Sequence, residues 1–194
     1  YMHAPQFITI KRKQVTVATT EQRFYLVNEA DKLAGLTRLF EMEEIGATLI
    51  FTRTRASSAR LANELAQRGF NAEALNGDLA QDARMRVLNR FRGGDTRVLV
   101  ATDVAARGLD IDDISHVINF DLPTDPEAYV HRIGRTGRAG KEGIAISLVT
   151  PGETRRLGQI ERFTKKRIES AELPTETDIR KRREERSEER RVGG

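Results

Sequence analysis

Short apolar runs alternate with amphipathic patterns along most of the chain. The runs predict strands at 23–27, 47–52, 72–75, 97–101, 116–120 and 143–149. Between the runs, apolar residues recur every three or four positions, as helices with one buried face require; the first such set is Leu33, Leu36, Leu39 and Phe40. This order predicts an α/β fold, with an open, mostly parallel sheet and helices on both faces.

Capping residues indicate where several of these helices begin. Asp31 is placed to cap the first helix. Thr124 and Glu127 have the spacing of a capping box, and so do Thr150 and Glu153. We therefore expect helices to start near 125 and near 151, each directly after a strand.

Composition excludes several classes of protein. The chain has 194 residues and no cysteine, so a disulfide framework, a cysteine metal site and a thiol nucleophile are all excluded. Three histidines are too few for a typical histidine-rich metal site, and we predict no metal ligands. No apolar run approaches about 18 residues, and the N-terminus lacks a signal pattern, so we expect a cytoplasmic protein without membrane contact.

The net charge of +4 is concentrated at the C-terminus. Residues 180–191 read RKRREERSEERR and carry seven basic against four acidic side chains, which accounts for three of the four charges. We expect a leader at 1–20, a folded domain at 21–170 and a charged tail at 171–194 that is disordered or at most a transient Arg/Glu helix. The tail could be a solvated end or an accessory RNA-binding arm, and its composition fits both.

Candidate chemistry follows four of the predicted strands. Ligands of parallel α/β sheets bind outside the carboxyl ends of the strands. The segments that lie there are 51–55, 75–84, 101–111 and 131–140. The first offers the hydroxyl of Thr52 and the cation of Arg53. The second contains a helix start, with Gln81 and Arg84, that suits phosphate oxygens. The third contains Asp110, which can accept hydrogen bonds from ribose hydroxyls.

The last of these segments is the most informative. Its three arginines, spaced three apart among glycines, would repel one another if they had no anion to bind: Arg132, Arg135 and Arg138. Arginine makes bidentate contacts with phosphate, so a polyphosphate or nucleic-acid ligand is indicated.

The other residues also have ordinary structural explanations when each is taken alone. Thr52 and Arg53 could simply end a strand, and Gln81 and Arg84 could be surface residues of a helix. Asp103 and Asp110 could be helix caps, and an isolated histidine such as His131 is more often structural than catalytic.

Taken together, the motifs resemble a known family. ATDVAARGLDI at 101–111, VINFDLP at 117–123 and HRIGRTGRAG at 131–140 are similar to the C-terminal half of DEAD-box ATP-dependent RNA helicases of superfamily 2. FTRTR at 51–55 and LNGDLAQDAR at 75–84 resemble the two preceding motifs. The resemblance covers about residues 20–170 and is greatest to the bacterial cold-shock and ribosome-assembly branch.

This resemblance implies a RecA-like helicase C-terminal domain, a P-loop NTPase-like fold without its own P-loop. It implies that Arg138 is the arginine finger and that Arg135 is a second γ-phosphate contact, both catalytic. Asp110 would hold the ATP ribose. It further implies interdomain coupling by His131, Arg132 and Asp103, and RNA binding by Thr52, Arg53, Gly77, Gln81, Arg84, Thr102 and Gly108.

Motifs that hold nucleotide phosphates in this family are missing from the sequence. No GxxxxGK[ST] loop, Asp-Glu-Ala-Asp or Ser-Ala-Thr sequence occurs. The resemblance therefore implies ATP with Mg²⁺ as the cofactor, bound mainly by an N-terminal RecA-like domain that this sequence does not include. That domain and RNA are the expected partners, with ribosome-assembly or RNA-decay factors as further candidates, and residues 1–20 would be the interdomain linker.

The function we expect is that of an ATP-dependent RNA helicase that unwinds or remodels short duplexes. This chain would supply the arginine finger and half of the grip on the RNA backbone, and alone it would be inactive as an ATPase. Two alternatives stay open: a stand-alone, non-catalytic RNA-binding or regulatory module, and a DNA-acting translocase of the same superfamily.

Overall fold

A seven-stranded, parallel sheet is the central layer of the computed structural model, which describes residues 20–111, 113–137 and 142–194. The strand order is β3-β4-β2-β5-β6-β1-β7. The strands are β1 (Thr20–Leu26), β2 (Thr48–Phe51), β3 (Ala72–Leu75), β4 (Val98–Ala101), β5 (His116–Asn119), β6 (Gly143–Val149) and β7 (Glu169–Ala171).

Seven α-helices of the described residues connect or follow these strands. They are α1 (Lys32–Met42), α2 (Arg55–Gln67), α3 (Gln81–Arg92), α4 (Asp103–Ala106), α5 (Pro126–Ile133), α6 (Thr154–Thr164) and α7 (Glu176–Val192). Short 3₁₀ turns precede α1 and α6. No helix in this part of the chain is long and apolar enough to cross a membrane.

The core lies on both faces of the sheet, because successive side chains of a strand point to opposite faces. Leu49 and Phe51 of β2 pack in one cluster with Phe91 of α3. Ile50, between them, packs on the other face with Leu61 of α2. The parallel sheet with helices on both faces confirms the predicted α/β architecture.

The helices begin close to the predicted positions, but two of the predicted capping interactions differ in the structure. The side chain of Asp31 makes no capping bond, because a 3₁₀ turn over Glu29–Asp31 leads into α1 and puts Asp31 in a near-helical conformation. Asp125, not Thr124, caps α5 by accepting the N–H of Glu127 at 2.8 Å. The capping box of Thr150 and Glu153 is confirmed.

The C-terminal segment is helical, in contrast to the disorder expected from its composition. Thr175 caps α7, and the side chain of Ile179 is 8% exposed. Arg183 donates to Glu41 of α1 at 2.8–3.1 Å. Ion pairs of Glu176 with Arg38 and of Arg183 with Glu41 therefore join α7 to α1, and a count of charges does not reveal such contacts.

The direction of α7 places most of its arginines far from the carboxyl ends of the strands. Glu176 lies near Arg38 and Arg183 near Glu41, so α7 runs parallel to α1. Since α1 follows the carboxyl end of β1, both helices run toward the edge where the strands begin. We call that edge the amino edge and the opposite one the carboxyl edge.

A polar cluster lies at the amino edge around Glu43. Arg23 donates to Glu43 at 2.6 Å, and His116 Nε2 lies 3.7 Å from the same oxygen, beyond hydrogen-bond distance. Burial raises the pKa of Glu43, but the interactions with His116 and with the Arg23 guanidinium outweigh burial and lower the pKa below its ordinary value. The ionised carboxylate therefore stabilises the fold.

We expect the variant Glu43→Gln to lose stability near neutral pH and to differ less from the parent at low pH. A lowered carboxyl pKa contributes stability that is fully present above the unfolded-state pKa, and this contribution disappears as the pH falls through the folded-state pKa, which lies below the ordinary value of a glutamate. Urea unfolding of both proteins across this range measures the difference. The exposed neighbour Glu44→Gln is the control and should show no such convergence.

A close approach at the start of β6 requires glycine at position 143. A Cβ added to Gly143 would lie 2.5 Å from Thr136 Oγ1 and closer still to the backbone nitrogen of Gly137. Thr136 cannot move away easily, because it is buried and its hydroxyl donates to the carbonyl of Ile114 at 2.6 Å.

Gly143→Ala should therefore lower the free energy of unfolding by about 3 kcal/mol, the upper part of the range for overpacked sites. Chemical denaturation measures this change. Gly152→Ala is the matched control, because a Cβ there would meet nothing within 4 Å. Equal stability of the two variants would contradict the proposed steric requirement.

Candidate functional site

The carboxyl edge brings together loops that are far apart in sequence. In the pairing register, Leu75 lies beside Ala101, Ala101 beside Phe51, and Phe51 beside Asn119. The residues that follow these four strand ends therefore begin in one row. The predicted segments at 51–55, 75–84 and 101–111 begin at this edge, and the fourth, at 131–140, reaches it through Arg132.

The turn after β2 is held by its backbone. The N–H of Thr52 donates to the carbonyl of Ala101 at 3.0 Å, and the N–H of Arg53 donates to Asp121 Oδ2 at 2.9 Å. Thr52 is fully buried, and its hydroxyl donates to the carbonyl of Thr54 at 3.3 Å. Arg53 is exposed, so its side chain is the part of this turn open to a ligand.

The segment before α3 presents an open surface. Gly77 and Gln81 are exposed, and a Cβ added to Gly77 would meet nothing within 4 Å. Arg84 is different, because its guanidinium donates to the carbonyl of Ala105 at 3.0 Å and so ties α3 to α4. Gln81 and the free amides at the start of α3 remain available for an anion.

The segment after β4 forms a short helix and a turn. Thr102 caps α4 by accepting the N–H of Ala105 at 3.4 Å. Gly108 has a φ of +76°, which favours glycine there. Asp110 is exposed at the end of the turn, and its carbonyl accepts a bond from Arg92 at 2.9 Å.

Arg132 of α5 is the central buried group of this edge, with a residue exposure of 4%. It donates to both oxygens of Asp103, at 2.7 and 2.8 Å. It also donates to Asn119 Oδ1 at 3.2 Å and to the carbonyl of Asp121 at 2.7 Å, and it lies 5.0 Å from the centre of the Phe51 ring. These contacts join α5 to α4 and to the segment after β5.

Arg135 and His131 have different surroundings, although both belong to the same motif. Arg135 donates to the carbonyl of Leu109 at 2.5 Å and to that of Ala106 at 2.9 Å, so it supports the loop that carries Gly108 and Asp110. The side chain of His131 is 61% exposed. Arg138 lies outside the described residues.

A cleft of about 460 Å³ opens between α4 and α5. Its lining includes Asp103, Arg107, Glu127, His131, Arg132 and Arg135. The cleft is polar, and its exposed groups include the cation of Arg107 and the imidazole of His131. Such a surface suits a charged ligand or partner better than an apolar molecule.

Among the described residues, no three or more His, Asp or Glu side chains are grouped as they would be to hold a metal ion.

The structure also contains site residues that the sequence reasoning missed. Asn119 and Asp121 both contact Arg132, and Asp121 also accepts the N–H of Arg53. Both residues belong to the VINFDLP segment: Asn119 ends the buried strand β5, and Asp121 follows it.

Lys32 is buried in the same apolar stripe of α1 as Leu36 and Leu39. Lys32 lies four residues before Leu36 and seven before Leu39, which places the three residues on one helix face. This spacing could have indicated from the sequence that Lys32 is buried.

Comparisons with known proteins identify the family. The model of the helicase conserved C-terminal domain matches residues 31–140. The ATP-dependent RNA helicase CshA of Listeria monocytogenes is 49% identical over 175 residues, which are 90% of this chain and 34% of that protein. The chain belongs to the helicase C-terminal domain family, among the DEAD-box proteins. It spans about a third of the length of the curated relatives it matches.

Solved DEAD-box structures agree with this assignment. The E. coli protein SrmB, bound to regulator of ribonuclease activity A, matches with a TM-score of 0.75 and 41% identity, covering 78% of this chain and 90% of that one. S. cerevisiae Dbp5 bound to RNA and ADP BeF3 matches with a TM-score of 0.72 and 37% identity, over 84% of this chain and 45% of that one. The predicted DEAD-box resemblance and the RecA-like fold of this C-terminal domain are confirmed.

Arg132→Lys should destabilise this DEAD-box domain by about 3 kcal/mol, because a lysine cannot replace the bidentate bond to Asp103 and leaves buried acceptors unpaired. Urea unfolding measures the loss. Arg107→Lys, at an exposed position in the same cleft, is the control and should stay within about 0.5 kcal/mol of the parent. A similar stability of both variants would show that Arg132 does not hold the edge together.

Proposed function

We propose that this chain is the C-terminal domain of an ATP-dependent RNA helicase that unwinds or remodels short duplexes. One observation carries the proposal: Arg132 holds the motif after β4 and the arginine motif of α5 against one another at one sheet edge. In that position, the loops after β2, β3 and β4 would contact RNA, and the adjacent loop that Arg135 supports would contact nucleotide. The names of the relatives, which are ATP-dependent RNA helicases, support the same conclusion.

The RNA contacts would come from the side of the edge formed by the loops after β2, β3 and β4. Arg53 and Gln81 are exposed there, and the open space at Gly77 lets a sugar–phosphate backbone come close. Thr102 and Gly108 would contribute to RNA binding by shaping the segment after β4, since Thr102 caps α4 and Gly108 lies in the turn that follows. Contacts of this kind reach phosphate and ribose rather than base edges, so we expect little sequence preference.

Nucleotide contacts would come from the loop that Arg135 supports and from Arg138. Asp110 is exposed on that loop, where a carboxylate can accept hydrogen bonds from ribose hydroxyls. Arg135 uses two of its donors on backbone carbonyls, so its proposed contact with the γ-phosphate requires other donors or a rearrangement. ATP with Mg²⁺ would supply the transferable phosphoryl group. This chain would supply positive charge and would hold the ribose.

A second protein region is required for this chemistry. The sequence contains no phosphate-binding loop and no Asp-Glu-Ala-Asp motif, so we propose that an N-terminal RecA-like domain binds most of the nucleotide. The cleft with Arg107 and His131 is the surface that would face it, and His131, Arg132 and Asp103 would couple the two domains. A cytoplasmic location and contacts with ribosome-assembly or RNA-decay factors remain predictions.

Measurements on two proteins test this function: the chain alone, and a two-domain protein in which a P-loop helicase domain precedes the chain. We expect the two-domain protein to hydrolyse ATP faster with RNA than with DNA, and the chain alone to have no RNA-stimulated ATPase. RNA binding by the chain with no RNA-dependent turnover in the two-domain protein would favour a non-catalytic RNA-binding module. Equal stimulation by DNA would favour a DNA-acting translocase.

Arg138→Ala in the two-domain protein should reduce RNA-stimulated turnover by about 10³-fold, the lower end of the effect of an arginine finger on phosphoryl transfer. RNA affinity should change much less, because the finger acts on nucleotide. Steady-state ATPase and RNA binding by fluorescence anisotropy give the two values. Arg155→Ala, an exposed arginine on α6, is the control, and normal turnover by Arg138→Ala would exclude the assignment.

A further inference from the structure

A buried lysine begins α1. Lys32 is 1% exposed, and its ammonium lies 3.2 Å from Asp121 Oδ1 and 3.0 Å from Glu29 Oε2. It also lies 5.5 Å from the centre of the Phe120 ring. The side chain of Glu29 is 71% exposed and that of Asp121 only 12%, so Asp121 is the partner that shares the buried position.

Burying an ammonium group is unfavourable unless a partner compensates it, and an apolar side chain would fill the same space at lower cost. The Leu36 and Leu39 side chains of the same helix face show that apolar packing is available there. Packing alone therefore does not account for the charge of Lys32, whereas the contacts that its partner Asp121 makes at the carboxyl edge do.

Asp121 contacts two of the proposed functional elements at once. Its Oδ2 accepts the backbone N–H of Arg53 at 2.9 Å, and its carbonyl accepts Arg132 Nη1 at 2.7 Å. Arg132 in turn holds both oxygens of Asp103. Asp121 thus links the turn after β2 directly to α5 and, through Arg132, to α4, and its carboxylate lies against Lys32.

We propose that Lys32 and Asp121 form a positioning pair that orients the Arg53 turn for RNA. Lys32 would fix the carboxylate so that its second oxygen faces the N–H of Arg53, and this bond would set the direction in which the Arg53 side chain leaves the sheet edge. This inference rests on the proposed RNA-binding function. Lys32 itself cannot touch RNA, because its side chain is 2% exposed.

Two double variants test the hydrogen bond without leaving a lone buried charge. Lys32→Met with Asp121→Asn removes both charges but keeps an oxygen that can accept the Arg53 N–H. Lys32→Met with Asp121→Ala removes both charges and the acceptor. A neutral amide oxygen can accept the Arg53 N–H without a charged partner, so we expect the first protein to bind single-stranded RNA within about threefold of the parent. The second protein has no acceptor and should bind about tenfold more weakly, as expected when a contact group is misplaced.

The single variant Lys32→Met shows whether the charge itself matters. It should raise the RNA concentration needed for half-maximal ATPase stimulation of the two-domain protein by about tenfold. Arg23→Met is the matched control, because it breaks another half-buried ion pair, that of Arg23 and Glu43, at the opposite edge of the sheet. Thermal unfolding gives the midpoint temperature of each variant. RNA binding is then compared at temperatures that lie equally far below the midpoints.

The outcomes separate the inference from the function on which it rests. Absence of RNA binding by the unmodified chain and two-domain protein would overturn the proposed function. RNA binding by the parent together with equal affinities of the two double variants would overturn the positioning role alone, and so would an effect of Lys32→Met no larger than that of Arg23→Met. If Lys32→Met does not fold, the double variants still decide the question.

Discussion

The carboxyl edge of this domain depends on the buried hydrogen bonds of the Arg132 guanidinium. This group is buried between the short helix after β4 and the end of β5. Two of its hydrogen bonds go to Asp103, one goes to Asn119 and one to the carbonyl of Asp121. Such a group is costly to bury alone and stable only when every donor has an acceptor. These bonds therefore hold α4, α5 and the segment after β5 in one arrangement, and the proposed contacts with RNA and nucleotide depend on it.

The two edges of the sheet differ in the kind of polar interaction they contain. At the carboxyl edge, charged groups such as Arg132 and Lys32 are buried and link loops, while Arg53 and Gln81 remain exposed. At the amino edge, the Arg23–Glu43 pair joins β1 to the end of α1, and α7 packs along α1 on one face. The first arrangement suits ligand contacts, and the second supports the sheet.

Most of the architecture could be predicted because apolar periodicity reports directly on burial. The strands and the two-sided core follow from runs such as that around Leu49 and Ile50, whose alternate residues pack on opposite faces. Details at helix starts were harder. Asp31 lies at the start of α1, but its near-helical backbone leaves its side chain without a capping bond. At α5, Pro126 occupies the first turn, and the cap is Asp125 rather than Thr124. A stable helix α7 was not predicted, because a single buried residue, Ile179, carries little weight in a charged segment.

The sequence by itself determined the fold class, the family and the segments that carry the site, since those depend on periodicity and on motifs read along the chain. Only the tertiary structure decided which of those side chains are exposed and which are structural: Arg53 faces solvent, whereas Thr52, Arg84 and Arg135 hold other parts of the protein. The pairing of Lys32 with Asp121, 89 residues apart, also required the folded chain. Such contacts depend on how strands are ordered in space, and sequence spacing does not contain that information.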